Sequence, residues 1–372
     1  MDKQDERYMK MALKEAKKGI GFVNPNPLVG AVIVKDGRVI GTGYHAKCGQ
    51  AHAERNALAN CVQDPRGATL YVTLEPCSHY GRTPPCTAAI IGAGLKRVVI
   101  GSMDPNPLVS GRGLTQLMQA GIQVEMGLCR EECDRLNEIF FHYITTGRPF
   151  VTMKYAMTAD GKIASASGLS RWITSEKARK QVHLMRKKMA AIMVGVETVI
   201  RDDPMLNCRL SRPSHPVRVI CDSHLRIPLE SAVLKTAKEI PTYIAYVEGS
   251  EEKEAAIIEK GGGLIRTRQT GGRVDLRDLM EKLGQREIDS VLLEGGGSLN
   301  FSALAQGVVS KVAVFIAPKL LGGEGAKSPV EGRGFPDPNQ AFALEGPSIR
   351  HMGRDILLEY TVKENKGCLR ES

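Results

Sequence analysis

His52, Cys77 and Cys86 lie well apart in the chain, yet together they form a chemically matched set that dictates how the first part of the protein must fold back on itself. A histidine and two thiols can hold a zinc ion and leave its fourth position open. Glu54 follows in the run Ala51-His52-Ala53-Glu54-Arg55, a carboxylate that is not needed as a ligand and can carry protons to and from a water on the metal. A buried free cysteine is ordinarily a small hydrophobe. A closed structural site with His79 or Cys48 as fourth ligand is the competing arrangement, but such a site gains nothing from a carboxylate two residues past its histidine.

The second half of the pattern is Leu74-Glu75-Pro76-Cys77, then Ser78-His79-Tyr80-Gly81-Arg82-Thr83-Pro84-Pro85-Cys86. Zinc deaminases acting on bases carry H-x-E followed by P-C-x-x-C. Here eight residues separate the thiols. Both can still reach one ion if the intervening loop returns on itself, and Pro84-Pro85 stiffens that return. Residues 68–74 are apolar and rich in β-branched side chains, so they read as a buried strand delivering Cys77. Helices are expected from Ala53 and from Cys86, placing His52 and Cys86 at helix starts, where partial positive charge favours thiolate over thiol.

At 372 residues the chain has material for two cores. Nine cysteines, an odd number, follow an opening Met-Asp-Lys-Gln-Asp-Glu-Arg without an apolar signal region, so a reducing cytoplasm is expected. No run approaches the eighteen apolar residues of a membrane span. Of the net charge of +10, residues 1–147 hold +3 and residues 148–372 hold +7, with no block beyond Arg186-Lys187-Lys188. Charge this diffuse suits a phosphorylated small molecule about as well as nucleic acid, is mostly ordinary solvated surface, and does not establish RNA or DNA binding.

The order of elements places a boundary at Thr145-Thr146-Gly147-Arg148-Pro149. Before it come a helix over 5–18, two strands flanking the hairpin pair Asp36-Gly37, the metal segments, strands at 97–101 and 122–126, and one helical stretch over 130–145. After it, strands at 150–157, 190–194, 217–222, 242–247, 290–293 and 311–316 alternate with helices near 175–188, 275–284 and 298–306. This is an α/β pattern in two domains, 1–147 and 148–372. Glu294-Gly295-Gly296-Gly297-Ser298 follows a strand and opens a helix, where backbone N–H groups can cradle a phosphate. By itself a glycine cluster there is more often a tight turn. The tail after Val362 reads as loose.

Over nearly its whole length the chain resembles the bifunctional riboflavin biosynthesis proteins, which join a pyrimidine deaminase to a pyrimidine reductase. The resemblance rests on Asn24-Pro-Asn-Pro27, Gly43-Tyr-His45, His52-Ala-Glu54, the run from Glu75 to Cys86 and Asp104-Pro-Asn-Pro107. In the second half it rests on Lys154 to Ile163, Trp172-Ile-Thr-Ser175, Val194 to Thr198, Asp202-Asp-Pro204 and Glu294 to Gly297. The eight-residue gap between the thiols is that family's own form.

The resemblance implies a cytidine-deaminase-like α/β/α domain followed by an α/β domain like dihydrofolate reductase, a mixed sheet with helices on both sides. It implies zinc on His52, Cys77 and Cys86 with Glu54 as proton carrier, and Asn26, His45, Arg82, Asp104 and Asn106 as substrate contacts. In the second domain Lys154, Ser170, Arg186, Leu206, Arg209 and Glu294 would face a pyrimidine bearing a ribosyl phosphate, arginine suiting the phosphate through its planar fork. Ala156, Trp172, Thr198, Asp202, Ser223, Gly296, Gly297, Ser298, Leu299, Asn300, Phe301 and Ser302 would line an NADPH site. There is no G-x-G-x-x-G at its start, so no standard dinucleotide fingerprint is expected. A homo-oligomer is expected by the same resemblance. A nucleic-acid base deaminase with a fused binding module is the alternative; aromatics at only 5% argue against it. A non-catalytic zinc protein would leave Glu54 without a purpose.

Overall fold

In a computed structural model, which describes residues 2–78, 84–106 and 110–363, the chain divides into two compact units, Met1–Gly147 and Arg148–Ser372. The first unit runs α1 (Lys3–Ala16), β1 (Gly30–Lys35), β2 (Arg38–Tyr44), α2 (Ala53–Ala59), β3 (Thr69–Leu74), α3 (Cys86–Gly92), β4 (Arg97–Ser102), α4 (Arg112–Gln119), β5 (Gln123–Met126), α5 (Arg130–Leu136) and α6 (Glu138–Thr146). Its sheet order is β2-β1-β3-β4-β5. The Asp36-Gly37 turn makes β1 and β2 an antiparallel hairpin, and β3, β4 and β5 run parallel.

Alternation along the strands sorts the layers, because successive side chains leave a strand on opposite faces. Ala31, Ile33, Leu70, Val72, Val98 and Ile100 pack with Ala53 and Ala57 of α2, Ile90 of α3 and Leu117 of α4. The intervening Val32, Val34, Tyr71 and Val99 pack with Tyr8, Met9, Ala12 and Leu13 of α1 and Cys133 of α5. The result is an α/β/α sandwich. Leu70, Ile33 and Ile100 are fully buried, so truncating any of them to alanine costs about 2–5 kcal/mol.

The helical stretch expected over 130–145 is two helices, because Asn137 interrupts it. Its buried side chain accepts from the Leu28 amide at 2.8 Å and donates to the Leu28 carbonyl at 3.0 Å. An asparagine that satisfies a distant backbone in this way takes a bend between helices over a smooth continuation.

The second unit runs β6 (Phe150–Thr158), α7 (Glu176–Lys188), β7 (Ala191–Gly195), α8 (Val196–Asp202), β8 (Val217–Cys221), α9 (Ala232–Lys235), β9 (Thr242–Tyr246), α10 (Glu251–Glu259), β10 (Gly263–Arg266), β11 (Gln269–Thr270), β12 (Arg273–Val274), α11 (Leu276–Gly284), β13 (Ser290–Leu293), α12 (Gly297–Ala305), β14 (Lys311–Ala317), β15 (Leu344–Met352) and β16 (Asp355–Val362). The large sheet has the order β10-β9-β8-β7-β13-β6-β14-β16-β15. It is parallel from β10 to β14, then closes with an antiparallel β14-β16-β15 edge. Met153, Met193, Val219 and Leu293 pack on α11 and α12. On the opposite face Ile192, Val194, Ile220 and Ile244 pack on α8, α9 and α10. Helices therefore cover both faces of a mixed sheet.

Arg218 on β8 is fully buried. Its guanidinium donates to Thr242 Oγ1 at 2.8 Å, Thr236 Oγ1 at 2.8 Å, the Ile240 carbonyl at 2.8 Å, the Thr236 carbonyl at 3.0 Å and the Met205 carbonyl at 3.3 Å. Five neutral acceptors take the place of a counter-ion.

Candidate active sites

The first site is assembled from one strand end and two helix starts. β3 ends at Leu74 and hands the chain to Cys77; His52 is the N-cap of α2, and Cys86 is the first residue of α3. Helix α2 sits tightly on β2 because residue 43 is glycine: a Cβ there would lie 2.3 Å from the Ala57 nitrogen. His52 Nδ1 lies 3.4 Å from Cys77 Sγ and 3.4 Å from Cys86 Sγ. Zinc bonds of about 2.3 Å to sulfur and about 2.0 Å to nitrogen in a tetrahedron demand N···S separations of about 3.5 Å, so the three residues fit the ion. Among the described residues they are the only such cluster. Cys48 does not join them, and His79 lies outside the described residues.

Two neighbouring thiols cannot both ionise freely. The Cys77 thiol is drawn down to about 4, first by its hydrogen bond with Cys86 and then by His52, while Cys86 is pushed up by Cys77 and by burial. Glu54 is 3% exposed, and burial, reinforced by Cys77, lifts its carboxyl to about 7. A carboxyl poised there can take up and release a proton near neutrality.

Around this centre His45 is buried and meets the His52 ring edge-on at 5.3 Å. Its Nδ1 faces the Ala51 carbonyl at 3.2 Å and its Nε2 faces Asn26 Nδ2 at 3.1 Å. Burial lowers its pKa. A neutral ring donating from Nδ1 and accepting at Nε2 satisfies both contacts and fixes the Asn26 amide. Asp104 accepts from the Asn106 amide at 2.9 Å, the turn chemistry ordinary for Asp-Pro-Asn. Arg82 lies outside the described residues.

Sequence reasoning missed Glu75. Its buried side chain accepts from the amides of Gly111 and Gly113, each at 3.1 Å, and so binds the start of α4 to the segment carrying Cys77. The signal available was an acidic residue beside the proline of the motif.

The second site lies at the carboxyl ends of adjacent parallel strands, where open α/β sheets bind ligands. A cleft of about 430 Å³ is lined from the ends of β7, β8 and β13. Of the residues expected at a cofactor, Thr198, Ser223, Gly296, Gly297, Ser298, Leu299 and Ser302 line it. Asn300 and Phe301 do not. Asn300 is 3% exposed and donates to the Pro329 carbonyl at 2.8 Å. Phe301 packs against Phe335 and Phe342 in a separate apolar pocket. Consecutive residues of a helix cannot all face one side, so the run divides between the cleft and the unit's interior. Ala156 and Asp202 are also outside the lining. Trp172 is 58% exposed with the Arg179 guanidinium 4.4 Å over its ring.

The expected substrate residues converge in part. Arg186 donates from Nε and Nη2 to the two Glu294 oxygens at 2.7 and 2.8 Å, and Lys154 Nζ lies 3.9 Å from Glu294. Burial alone would raise the Glu294 carboxyl, but Arg186 and Lys154 hold it down at about 2. Here the Arg186 fork is engaged by a carboxylate. Its Nη1 also donates to the Asn207 carbonyl at 3.0 Å, drawing in the segment with buried Leu206. Arg209 Nε sits 3.3 Å from His183 Nε2. Ser170 is exposed on the 165–172 segment.

Comparison with known proteins assigns both halves. Residues 2–102 match the cytidine and deoxycytidylate deaminase zinc-binding region, and residues 149–358 match the RibD C-terminal domain. The riboflavin biosynthesis protein RibD of Actinobacillus pleuropneumoniae is 55% identical over 96% of this chain and 95% of its own length. The chain belongs to the RibD family. A second RibD, from Aquifex aeolicus, is 44% identical over 95% of this chain and 97% of its own. Among solved structures, Acinetobacter baumannii RibD superposes with a TM-score of 0.86 at 37% identity, covering 97% of this chain and 99% of that one. A Thermotoga maritima protein described as a diaminohydroxyphosphoribosylaminopyrimidine deaminase and 5-amino-6-(5-phosphoribosylamino)uracil reductase gives 0.82 at 38% identity, covering 97% and 99%. The chain is therefore a bifunctional riboflavin biosynthesis protein with a zinc-binding deaminase domain and a reductase domain. Among the described residues no helix is long and apolar enough to cross a membrane.

Proposed function

We propose that the unit formed by residues 1–147 hydrolyses the ring amino group of 2,5-diamino-6-(ribosylamino)pyrimidin-4-one 5′-phosphate. The unit formed by 148–372 then reduces the ribosyl group to ribityl with NADPH, giving 5-amino-6-(ribitylamino)uracil 5′-phosphate. The observation that carries this reading is a buried carboxyl, Glu54, two residues past the histidine of a His-Cys-Cys trio of zinc dimensions. Bound there, zinc supplies Lewis acidity and brings the pKa of water near 7. Glu54 takes a proton at its carboxylate and returns it to the departing amine. Asn26, fixed by His45, orients the pyrimidine edge, with Asp104 and Asn106 on the adjoining turn and Arg82 as a further substrate contact.

In the second unit, NADPH supplies the hydride. The amides at the start of α12, from Gly296 to Ser298, would meet its phosphates, with Thr198, Ser223 and Ser302 along the cleft. Glu294 stays an anion and fixes Arg186 and Lys154. Hydride addition at the ribosyl C1 breaks the bond to the ring oxygen, which needs a proton; Lys154, driven by burial below the usual lysine range, is the group suited to give it. Arg209 and Ser170 are left for the substrate phosphate. A cytoplasmic location is supported by eight free cysteines among the described residues.

Coupled turnover tests this. Zinc-quantified protein is given the diaminopyrimidine nucleotide, ammonia is followed, and NADPH oxidation is followed next. Ammonia release lost in Glu54→Gln but present in the parent, then NADPH oxidation, is the expected result. Zinc without ammonia from this nucleotide overturns the substrate assignment; ammonia without NADPH oxidation overturns the reductase half.

A further inference from the structure

The eight-residue gap between the two thiols leaves a mechanical question. In a C-x-x-C arrangement a short loop fixes one sulfur against the other, but here Cys86 needs restraint from elsewhere. It has some: the Cys86 amide donates to Cys77 Sγ at 3.3 Å and, on the C-terminal side, the Thr87 amide to the Cys77 carbonyl at 3.2 Å. On the N-terminal side stand Pro84 and Pro85, which have no N–H and can be tied only through their carbonyls. Arg55 ties both. Its Nε donates to the Pro84 carbonyl and its Nη2 to the Pro85 carbonyl, each at 3.3 Å.

Arg55 is placed for this by the helix that carries the other ligand. It lies in the first turn of α2, three residues after His52, the N-cap, and directly after Glu54. One rigid turn therefore presents the histidine ligand, the proton carrier and the restraint on the second thiol. A planar guanidinium suits two successive carbonyls because its donors diverge in a fixed fork, which a lysine ammonium lacks.

We infer that Arg55 is a positioning residue for the metal centre: it holds the Pro84-Pro85 return so that Cys86 stays within ligand distance of His52 and Cys77, and it thereby sets how long zinc is retained. The inference rests on the zinc reading above. Groups that orient metal ligands without touching the metal change affinity by roughly 10–100-fold when removed.

The test uses the full chain loaded with zinc and challenged with a chromogenic chelator, in the parent, Arg55→Met and Arg55→Lys. Arg55→Met keeps the aliphatic stem and loses the donors. It is expected to release zinc roughly tenfold to a hundredfold faster, with the unfolding midpoint of the zinc-free protein unchanged and NADPH oxidation unchanged when the deaminated intermediate is supplied directly. Arg55→Lys should fall between, having one ammonium for two carbonyls. Release at the parent rate in Arg55→Met overturns the inference. So does faster release accompanied by an equal loss of stability in the zinc-free protein, which would make Arg55 a general structural residue. A parent that binds no zinc overturns the metal assignment itself, a different failure.

Discussion

Glu54 is a buried carboxyl and Glu294 a largely buried one, but the first is pushed up to about 7 and the second held at about 2. The desolvation each suffers favours the neutral form. What separates them is company. Glu54 has the Cys77 thiol beside it and only a weaker opposing pull from His52, whereas Glu294 receives both arms of Arg186 and lies 3.9 Å from Lys154. Burial therefore does not assign a role to an acid: the first carboxyl can exchange a proton in turnover, and the second is a fixed anion that organises cations.

The largest effect that would break this contrast is on Glu54. Glu54→Gln should lower the rate of ammonia release by about 10²–10⁴-fold, while zinc content, and NADPH oxidation when the deaminated intermediate is supplied directly, stay unchanged; persistence of ammonia release would remove Glu54 from the chemistry. Glu294→Gln should act on stability instead. Leaving Arg186 and Lys154 largely buried without their anion should destabilise the unit by up to about 3 kcal/mol, seen as a lower denaturant midpoint for the second unit, with the deaminase rate intact.

Acid titration sharpens the same point. The Glu294 carboxyl ordinarily titrates at 4.5 and is lowered to about 2 in the folded chain, so the unfolded state binds more protons between these values. Its contribution is complete above 4.5 and drains away as pH falls toward 2. Urea unfolding followed down this range should show a shallower loss in Glu294→Gln than in the parent. The smallest effect belongs to Ser175→Ala. Ser175 caps α7, the helix bearing Arg186, by accepting from the Ala178 amide, and its loss should cost about 1 kcal/mol, confined to the second unit's transition.

Legibility in the sequence follows the same division. His52, Glu54, Cys77 and Cys86 could be read because their function resides in side-chain type at fixed spacing, and the Asp36-Gly37 hairpin because a two-residue turn is local chemistry. The α12 start was only half legible: its glycines mark a turn, but which of residues 296–302 face the cleft depends on helix phase against β13. The break at Asn137 was hidden because its partner, Leu28, is 109 positions away. The engagement of the Arg186 fork by Glu294 was hidden likewise, over 108 positions. Strands β15 and β16 escaped notice because β15 is exposed along nearly its whole length and contains Pro347, so it lacks the alternation that marks a half-buried strand. Met352-Gly353-Arg354-Asp355, a turn with Gly353 at positive φ, was the cue for that hairpin.

The buried Arg218 has a consequence for how the second unit opens. Its acceptors come from four places: the Met205 loop, the end of α9 at Thr236, the Ile240 turn and the first residue of β9. None of these can depart alone without stranding a charged donor away from water, a penalty larger than that of losing an ordinary hydrogen bond. The arginine thus binds neighbouring segments into one cooperative opening unit. Amide hydrogens of β8 and of the start of β9 would then exchange with solvent at a common rate, as one block.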